Sequence, residues 1–140
     1  MDEKVRSAIF QAVEQEAFAI KLGIKLVELE LGFSAVEMDY DPETMSNIYH
    51  RAHGGVIFSL IDEAFETVSQ AHGTIAVALN VNITYVSSPE IAIRLRAEAK
   101  EISRTKKTAS YTITVTDAAG QTIANCQALA YNTGKPIPFL

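Results

Sequence analysis

The 140 residues include no tryptophan, one cysteine, four prolines and three histidines. Each shortage excludes something. A single thiol, Cys126, cannot close a disulfide within the chain, which points to a reducing compartment and therefore to the cytoplasm. Cys126 stands in an apolar, strand-like run, the setting of an inert small hydrophobe rather than a nucleophile. His50 and His53 are three residues apart, but no cysteine and no third histidine lies close, so no zinc set is expected. No apolar run approaches the roughly 18 residues of a membrane span. Met1–Arg6 mixes charges and leads into no apolar segment of the secretory kind. Basic residues are outnumbered, 12 against 17 acidic ones, for a net charge of −5. Phosphate attraction needs a basic face, so nucleic acid is not an expected partner. No Gly-x-Ser-x-Gly occurs, which leaves a serine hydrolase unsupported. No Gly-Lys-Ser/Thr follows Gly54-Gly55, so this pair is not a phosphate loop.

Apolar residues make up 48% of the chain, enough for one globular domain spanning 1–140. Val5, Ile9, Ala12, Val13, Glu16 and Ala17 form a loose helical stripe, predicting a helix over about 3–21 that Gly23 ends. Ile24–Leu31 and Ser34–Tyr40, split by Gly32, read as a hairpin. Asp41–Asn47 reads as loop. A central helix is predicted over about 54–72, stopped by Gly73. Four strand-like runs follow: Thr74–Val86, Ile91–Lys100, a run around Tyr111, Ile113 and Val115, and Gln121–Tyr131. Four consecutive strands with short turns predict an antiparallel meander, and the single apolar helix needs cover. The fold class is α+β, a curved antiparallel sheet wrapped around a long central helix.

The central helix carries the chemistry. Val56, Leu60, Ala64 and Val68 form one i, i+4 row, Ile57, Ile61 and Phe65 a second, and Phe58 widens the band. A helix apolar over most of its girth is expected to be buried, which would put the Asp62 charge where it is costly. Its start, Asn47-Ile48-Tyr49-His50-Arg51-Ala52-His53-Gly54-Gly55, is polar and glycine-containing. Backbone N–H groups there lack intrahelical acceptors, and a glycine lets a carbonyl approach them closely. A carboxylate near such donors suits chemistry on a carbonyl. On the residues alone, Asp62 also suits an ion pair with Arg51 or a strand lysine, and His53 a simple capping role. Glu63 and Glu66 read as a polar edge beside Asp62.

Asn47, His53-Gly54-Gly55, Phe58, Leu60 and Asp62 at these spacings, with Asn82-Ile83-Thr84-Tyr85 and Ser88-Pro89 downstream, resemble the hotdog-fold acyl-CoA thioesterases of the PaaI-like family. The tail Gly134-Lys135-Pro136-Ile137-Pro138-Phe139 is similar as well, and the likeness runs from Gly23 to the C-terminus. It implies hydrolysis of an acyl-CoA, aryl-acetyl or other, to free acid and CoA. It implies Asp62 as nucleophile or general base, Gly54 as the carbonyl-polarising N–H, and Asn47 and His53 as positioning groups. Gly55 is adjacent to the substrate in this reading. Some relatives place a Ser or Thr after the helix where this chain has Ala78. No cofactor is implied, because CoA arrives with the substrate. Arg104, Lys106 and Lys107, at a turn between strands, are candidates for the CoA phosphates or simply solvated charges. Gly54 and Asp62 are eight residues apart, about 12 Å along one helix, so one carbonyl cannot touch both in a single chain. Two antiparallel helices across a two-fold axis would bring them together, predicting a homodimer, and a tetramer as in relatives. Two other functions fit the resemblance less well: a non-catalytic acyl-CoA binding or sensing module, and an acyl-thioester dehydratase or hydratase. The His-x-Phe-Pro signature of the latter is absent.

Overall fold

The computed structural model describes all 140 residues. Asp2 caps the first helix, α1 (Glu3–Gln15), by accepting from the backbone N–H groups of Lys4 and Val5, and the helix buries Val5, Ile9 and Val13. The single helix expected over about 3–21 is two. Glu16 takes an extended conformation (φ −71°, ψ 118°), and a short α2 (Ala17–Leu22) follows, ended by Gly23 in the left-handed region. No proline or glycine marks this break. What it does is turn Glu16 toward the central helix.

Strands β1 (Lys25–Glu30) and β2 (Phe33–Tyr40) form the expected hairpin, turned at Gly32 with φ 78°. The segment expected to be all loop contains a one-turn helix, α3 (Pro42–Met45). Asp41 caps it through Glu43 N–H, and proline opens it, where a missing N–H costs nothing. The central helix α4 (Gly54–Gln70) is followed by β3 (Thr74–Tyr85), β4 (Ile93–Arg104), β5 (Thr108–Asp117) and β6 (Thr122–Pro136).

All pairings are antiparallel, in the order β1-β2-β4-β5-β6-β3. The four-strand meander is therefore corrected: only β4, β5 and β6 are consecutive neighbours, while β3 lies outside β6 and forms one edge. The β3–β4 connection, residues 86–92, is too long for a tight hairpin and crosses to the other half of the sheet, which frees β4 to pair with β2.

The sheet curves around α4, which touches every strand. Ile57, Leu60, Ile61, Ala64 and Val68 are almost fully buried against Val36, Met38, Leu95, Tyr111 and Ile113. Each of the large aliphatic side chains contributes roughly 1.5–3 kcal/mol by leaving water. Small residues at Ala97 and Ala99, in register with Val36 and Ser34 on the helix-facing side, let the helix settle close to the sheet. A buried hydrogen bond between Ser34 Oγ and Thr67 Oγ1, 2.7 Å, sets its rotation. No helix is long and apolar enough to cross a membrane.

Candidate active site

The start of α4 is held from three sides. Ser46 and Ala52 form an isolated antiparallel bridge that pinches the loop between them. His53 N–H donates to Met45 C=O at 2.9 Å. Ala52 N–H donates to Pro89 C=O, and Ser88 Oγ returns a bond to Ala52 C=O at 3.0 Å. Ser88-Pro89, quoted in the sequence for its position alone, is thus the latch that fixes the loop before the helix.

Asn47 organises this loop from inside. Its Oδ1 accepts from Tyr49 N–H (2.9 Å) and Arg51 N–H (3.2 Å), and its own N–H donates to Arg51 C=O. His50, between them, is the one non-glycine residue with positive φ, 58°. Asn47 therefore acts on geometry here, with its amide Nδ2 left over. Arg51 pairs with Glu90, so the alternative in which it neutralises Asp62 does not hold.

His53 is the N-cap of α4, and its Nδ1 accepts from Gly55 N–H at 2.9 Å. An accepting Nδ1 leaves the ring proton on Nε2. The bond also takes Gly55 N–H out of play, whereas Gly54 N–H has no acceptor in the chain. One free donor at the positive end of a 17-residue helix is the arrangement that stabilises a developing oxyanion. Tyr85, to which sequence reasoning assigned no role, closes over this point: its hydroxyl donates to Gly54 C=O at 3.2 Å. A methyl group added at Gly54 would meet the Tyr85 ring at 3.4 Å.

Asp62 is not buried as the apolar helix led us to expect. The girth of α4 is interrupted by one exposed row, Phe58, Asp62 and Glu66, and Asp62 lies in its middle. Solvent reaches it, yet the adjacent helix and β3 surfaces desolvate it enough to raise its carboxyl above the ordinary value, with no cation offsetting the effect. It lines a cavity of about 210 Å³ together with Glu66, Ser69, Val77 and Ala78. Ala78 thus lines the same cavity as Asp62. Ser69, on the same cavity, donates its hydroxyl to Glu66 C=O at 2.9 Å.

The buried carboxylate of α4 is Glu63, 4% exposed, which corrects its reading as part of a polar edge. Burial and the neighbouring Glu16, Glu66 and Asp62 push its pKa up to about 8. Cys126 is buried, and its thiol is raised to about 11 by desolvation, so it is no nucleophile at neutral pH.

Within one chain Gly54 and Asp62 remain eight residues apart on an uninterrupted helix, about 12 Å, and the structure does not bring them together. Arg104, Lys106 and Lys107 lie where β4 turns into β5, and Arg104 shares Glu101 with His72, just past the other end of α4. Arg104 is spent inside the protein, on Glu101 (2.9 Å) and the Tyr111 hydroxyl (3.0 Å). Lys107 Nζ rests over the Tyr131 ring and donates to its hydroxyl at 3.3 Å. Lys106 is exposed.

The sequence profile of the Thioesterase superfamily matches residues 49–124, which contain the α4 start, Asp62 and β3. An Archaeoglobus fulgidus protein named as a candidate esterase is 37% identical over 117 residues, covering 84% of this chain and 75% of its own. The acyl-coenzyme A thioesterase PaaI of Escherichia coli K12 is 30% identical over 124 residues, covering 89% and 88%. The solved E. coli PaaI structure, from the phenylacetic acid degradation operon, superposes with a TM-score of 0.91 over 96% of this chain and 97% of that one, at 28% identity. A Streptococcus mutans protein crystallised with acetyl CoA superposes at 0.76, with 29% identity, over 81% and 91%. The chain belongs to the thioesterase superfamily, as a PaaI-like thioesterase of the hotdog fold.

Proposed function

We propose that the protein hydrolyses acyl-CoA thioesters in sites shared between two subunits. The observation that carries this reading is the pairing of one unoccupied donor, Gly54 N–H, with one unpaired carboxylate, Asp62, on the accessible side of the same helix. The acyl-CoA thioesterase among the relatives and the acetyl CoA bound by the S. mutans protein support CoA as the thiol portion.

In this mechanism the thioester carbonyl oxygen points at Gly54 N–H of one subunit. The Asp62 carboxylate of the other supplies the oxygen nucleophile directly or takes a proton from the attacking water. Negative charge gathers on the carbonyl oxygen, where the donor and the α4 dipole stabilise it. Collapse breaks the C–S bond and CoA leaves as a thiolate. On the water route the thiolate takes up the proton held by Asp62; on the direct route the acyl group stays on Asp62 as a mixed anhydride that a water hydrolyses, freeing the acid and supplying the proton. His53 contributes by capping Gly55, which aims Gly54 N–H, and Asn47 by holding the loop that presents them. Lys106 and Lys107 supply charge for the CoA phosphates, a part for which Arg104 is poorly placed because it is already paired.

Two surfaces support assembly. β3 is an edge strand of 12 residues that exposes Val77, Leu79 and Tyr85, and Phe58 of α4 is exposed as well. A long free edge with apolar neighbours is one that proteins normally cover. Pairing two β3 edges about a two-fold axis sets two α4 helices antiparallel. The outer faces of β3, β5 and β6 carry an uncharged lattice in which Thr84, Asn125 and Thr114 are in register, as are Asn82, Gln127 and Thr112. Such a face suits packing of two dimers into a tetramer.

The test is thiol release from a panel of aryl-acetyl, short-chain and long-chain acyl-CoAs by wild type and Asp62→Asn. Asp62→Asn is expected to lose about 10²–10⁴ in kcat with its fold intact. Near wild-type turnover in that variant would remove Asp62 from the mechanism.

A further inference from the structure

Away from the α4 start, three carboxylates converge where α1 ends. The helix break sends Glu16 toward α4, where Glu63 and Glu66 project one helical turn apart from Gln70 and Thr67. One oxygen each from Glu16, Glu63 and Glu66 lies within 4.8 Å of the others. They line a small cavity of about 40 Å³, to which Phe139 near the C-terminus also contributes. Glu63 is the decisive member: it is 4% exposed, and its Oε1 has no hydrogen-bond partner at all. A buried, unanswered carboxylate oxygen among two more carboxylates is costly unless something positive joins it.

Nothing positive in the chain does so. The charged groups acting on Glu16, Glu63 and Glu66 are one another and Asp62, all acidic. Within the cluster the Glu16 and Glu63 carboxyls are hydrogen-bonded to each other, and the one donor from outside it is Gln70 Nε2, on Glu66 at 3.3 Å. Thr67 is already engaged with Ser34 and two helix carbonyls.

We propose that a single oxygen-preferring divalent cation, Ca²⁺ by size, is held between Glu16, Glu63 and Glu66, fastening the end of α1 to the middle of α4. The donor set is all carboxylate, which suits hard cations rather than zinc or copper. Three oxygens 4.8 Å apart stand about 2.8 Å from their common centre, so a small side-chain adjustment brings them to the Ca²⁺–oxygen distance of about 2.3–2.6 Å, whereas Mg²⁺ at about 2.0–2.1 Å asks for a larger contraction. The cavity admits one ion, with water filling the remaining coordination positions on the Glu66 side, where the site opens to solvent. The sequence hid this site, because Glu16 is 47 residues from Glu63 and reaches it only through a helix break that no residue signals.

The experiment uses the full-length protein, stripped with EDTA and then freed of chelator. Thermal unfolding is followed while CaCl₂, MnCl₂ or MgCl₂ is titrated against NaCl at matched ionic strength, and calorimetry counts the ions bound. We expect one Ca²⁺ per chain and a saturable rise in Tm of about 5–10 °C at a hundredfold excess over Kd. Glu63→Gln should abolish the response, and so should Glu16→Gln, which serves as the second variant if the first folds poorly. A Tm that follows ionic strength alone, or an equal Ca²⁺ response in both folded variants, overturns the proposal. In that event the cluster is held by a shared proton.

Discussion

Glu63 and Asp62 are neighbours in the chain and opposites in setting. Asp62 meets solvent on the exposed row of α4, while Glu63 faces the α1 junction among other carboxylates. The apolar periodicity of α4 located one acidic interruption but could not say which of two adjacent acids turned inward, since 100° of helical rotation separates them. Glu63 makes a stability prediction whose sign can be worked out. Its folded pKa is raised to about 8 from an ordinary value of 4.5, mainly by burial and then by Glu16, Glu66 and Asp62. Below pH 4.5 both folded and unfolded states hold the proton, and the group has no effect. Between there and about pH 8 the unfolded chain releases it while the folded chain keeps it, so stability falls as pH rises, by at most about 1.4 kcal/mol per unit from this group. In chelator-containing buffer, urea unfolding between pH 5 and 8 should show this decline in wild type and a distinctly shallower one in Glu63→Gln. Equal slopes would mean that Glu63 ionises freely in the folded state.

At the level of elements, the sequence reading succeeds where one local rule decides and fails where a distant partner does. Gly23, Gly32 and Gly73 each end an element in the left-handed conformation that glycine tolerates, and all three were legible. The alternation of Leu95, Ala97 and Ala99, buried in β4, was legible too. The helix break at Glu16 and the placement of β3 beside β6 were not, because tertiary pairing sets them. The residues at the α4 start were singled out by the spacing of a family-like motif, but their local geometry needed coordinates: His53 occupies Gly55 N–H and leaves Gly54 N–H open. That division can be tested. His53→Ala removes the cap and should cost about 1 kcal/mol of stability along with part of kcat. In Gly55→Ala the added methyl would stand 3.1 Å from His53 Nδ1, tight enough to push the ring aside. There the lost cap is offset by the better helix propensity of alanine, up to about 1 kcal/mol. Gly55→Ala should therefore keep nearly wild-type stability and still lose turnover. Wild-type kcat in a Gly55→Ala protein would show that the His53 brace does not aim the Gly54 donor.

The whole molecule poses the problem that no single chain solves, since a helix that carries both the donor and the carboxylate separates them by about 12 Å. In the proposed assembly, a two-fold partner related through the β3 edge would remove the difficulty and make each site a composite of two chains. Complementation between disabled subunits addresses this directly. One chain carries Asp62→Asn; the other carries Gly54→Pro, which deletes the donor. The structure favours this second variant. Gly54 is the first residue of α4, where proline is well accepted, and His53 before it is already extended at φ −65°, ψ 135°, as a residue preceding proline must be. Each variant alone should be nearly inactive and should elute as the same oligomer as wild type. After subunit exchange at equal concentrations, half of the dimers are mixed, and in each of these one site carries both defects and the other neither. About a quarter of wild-type activity should then return. If exchange is demonstrated by a mass or fluorescence tag and activity stays at the level of the separate variants, donor and carboxylate serve the same chain, and the β3 edge must be covered for some other reason.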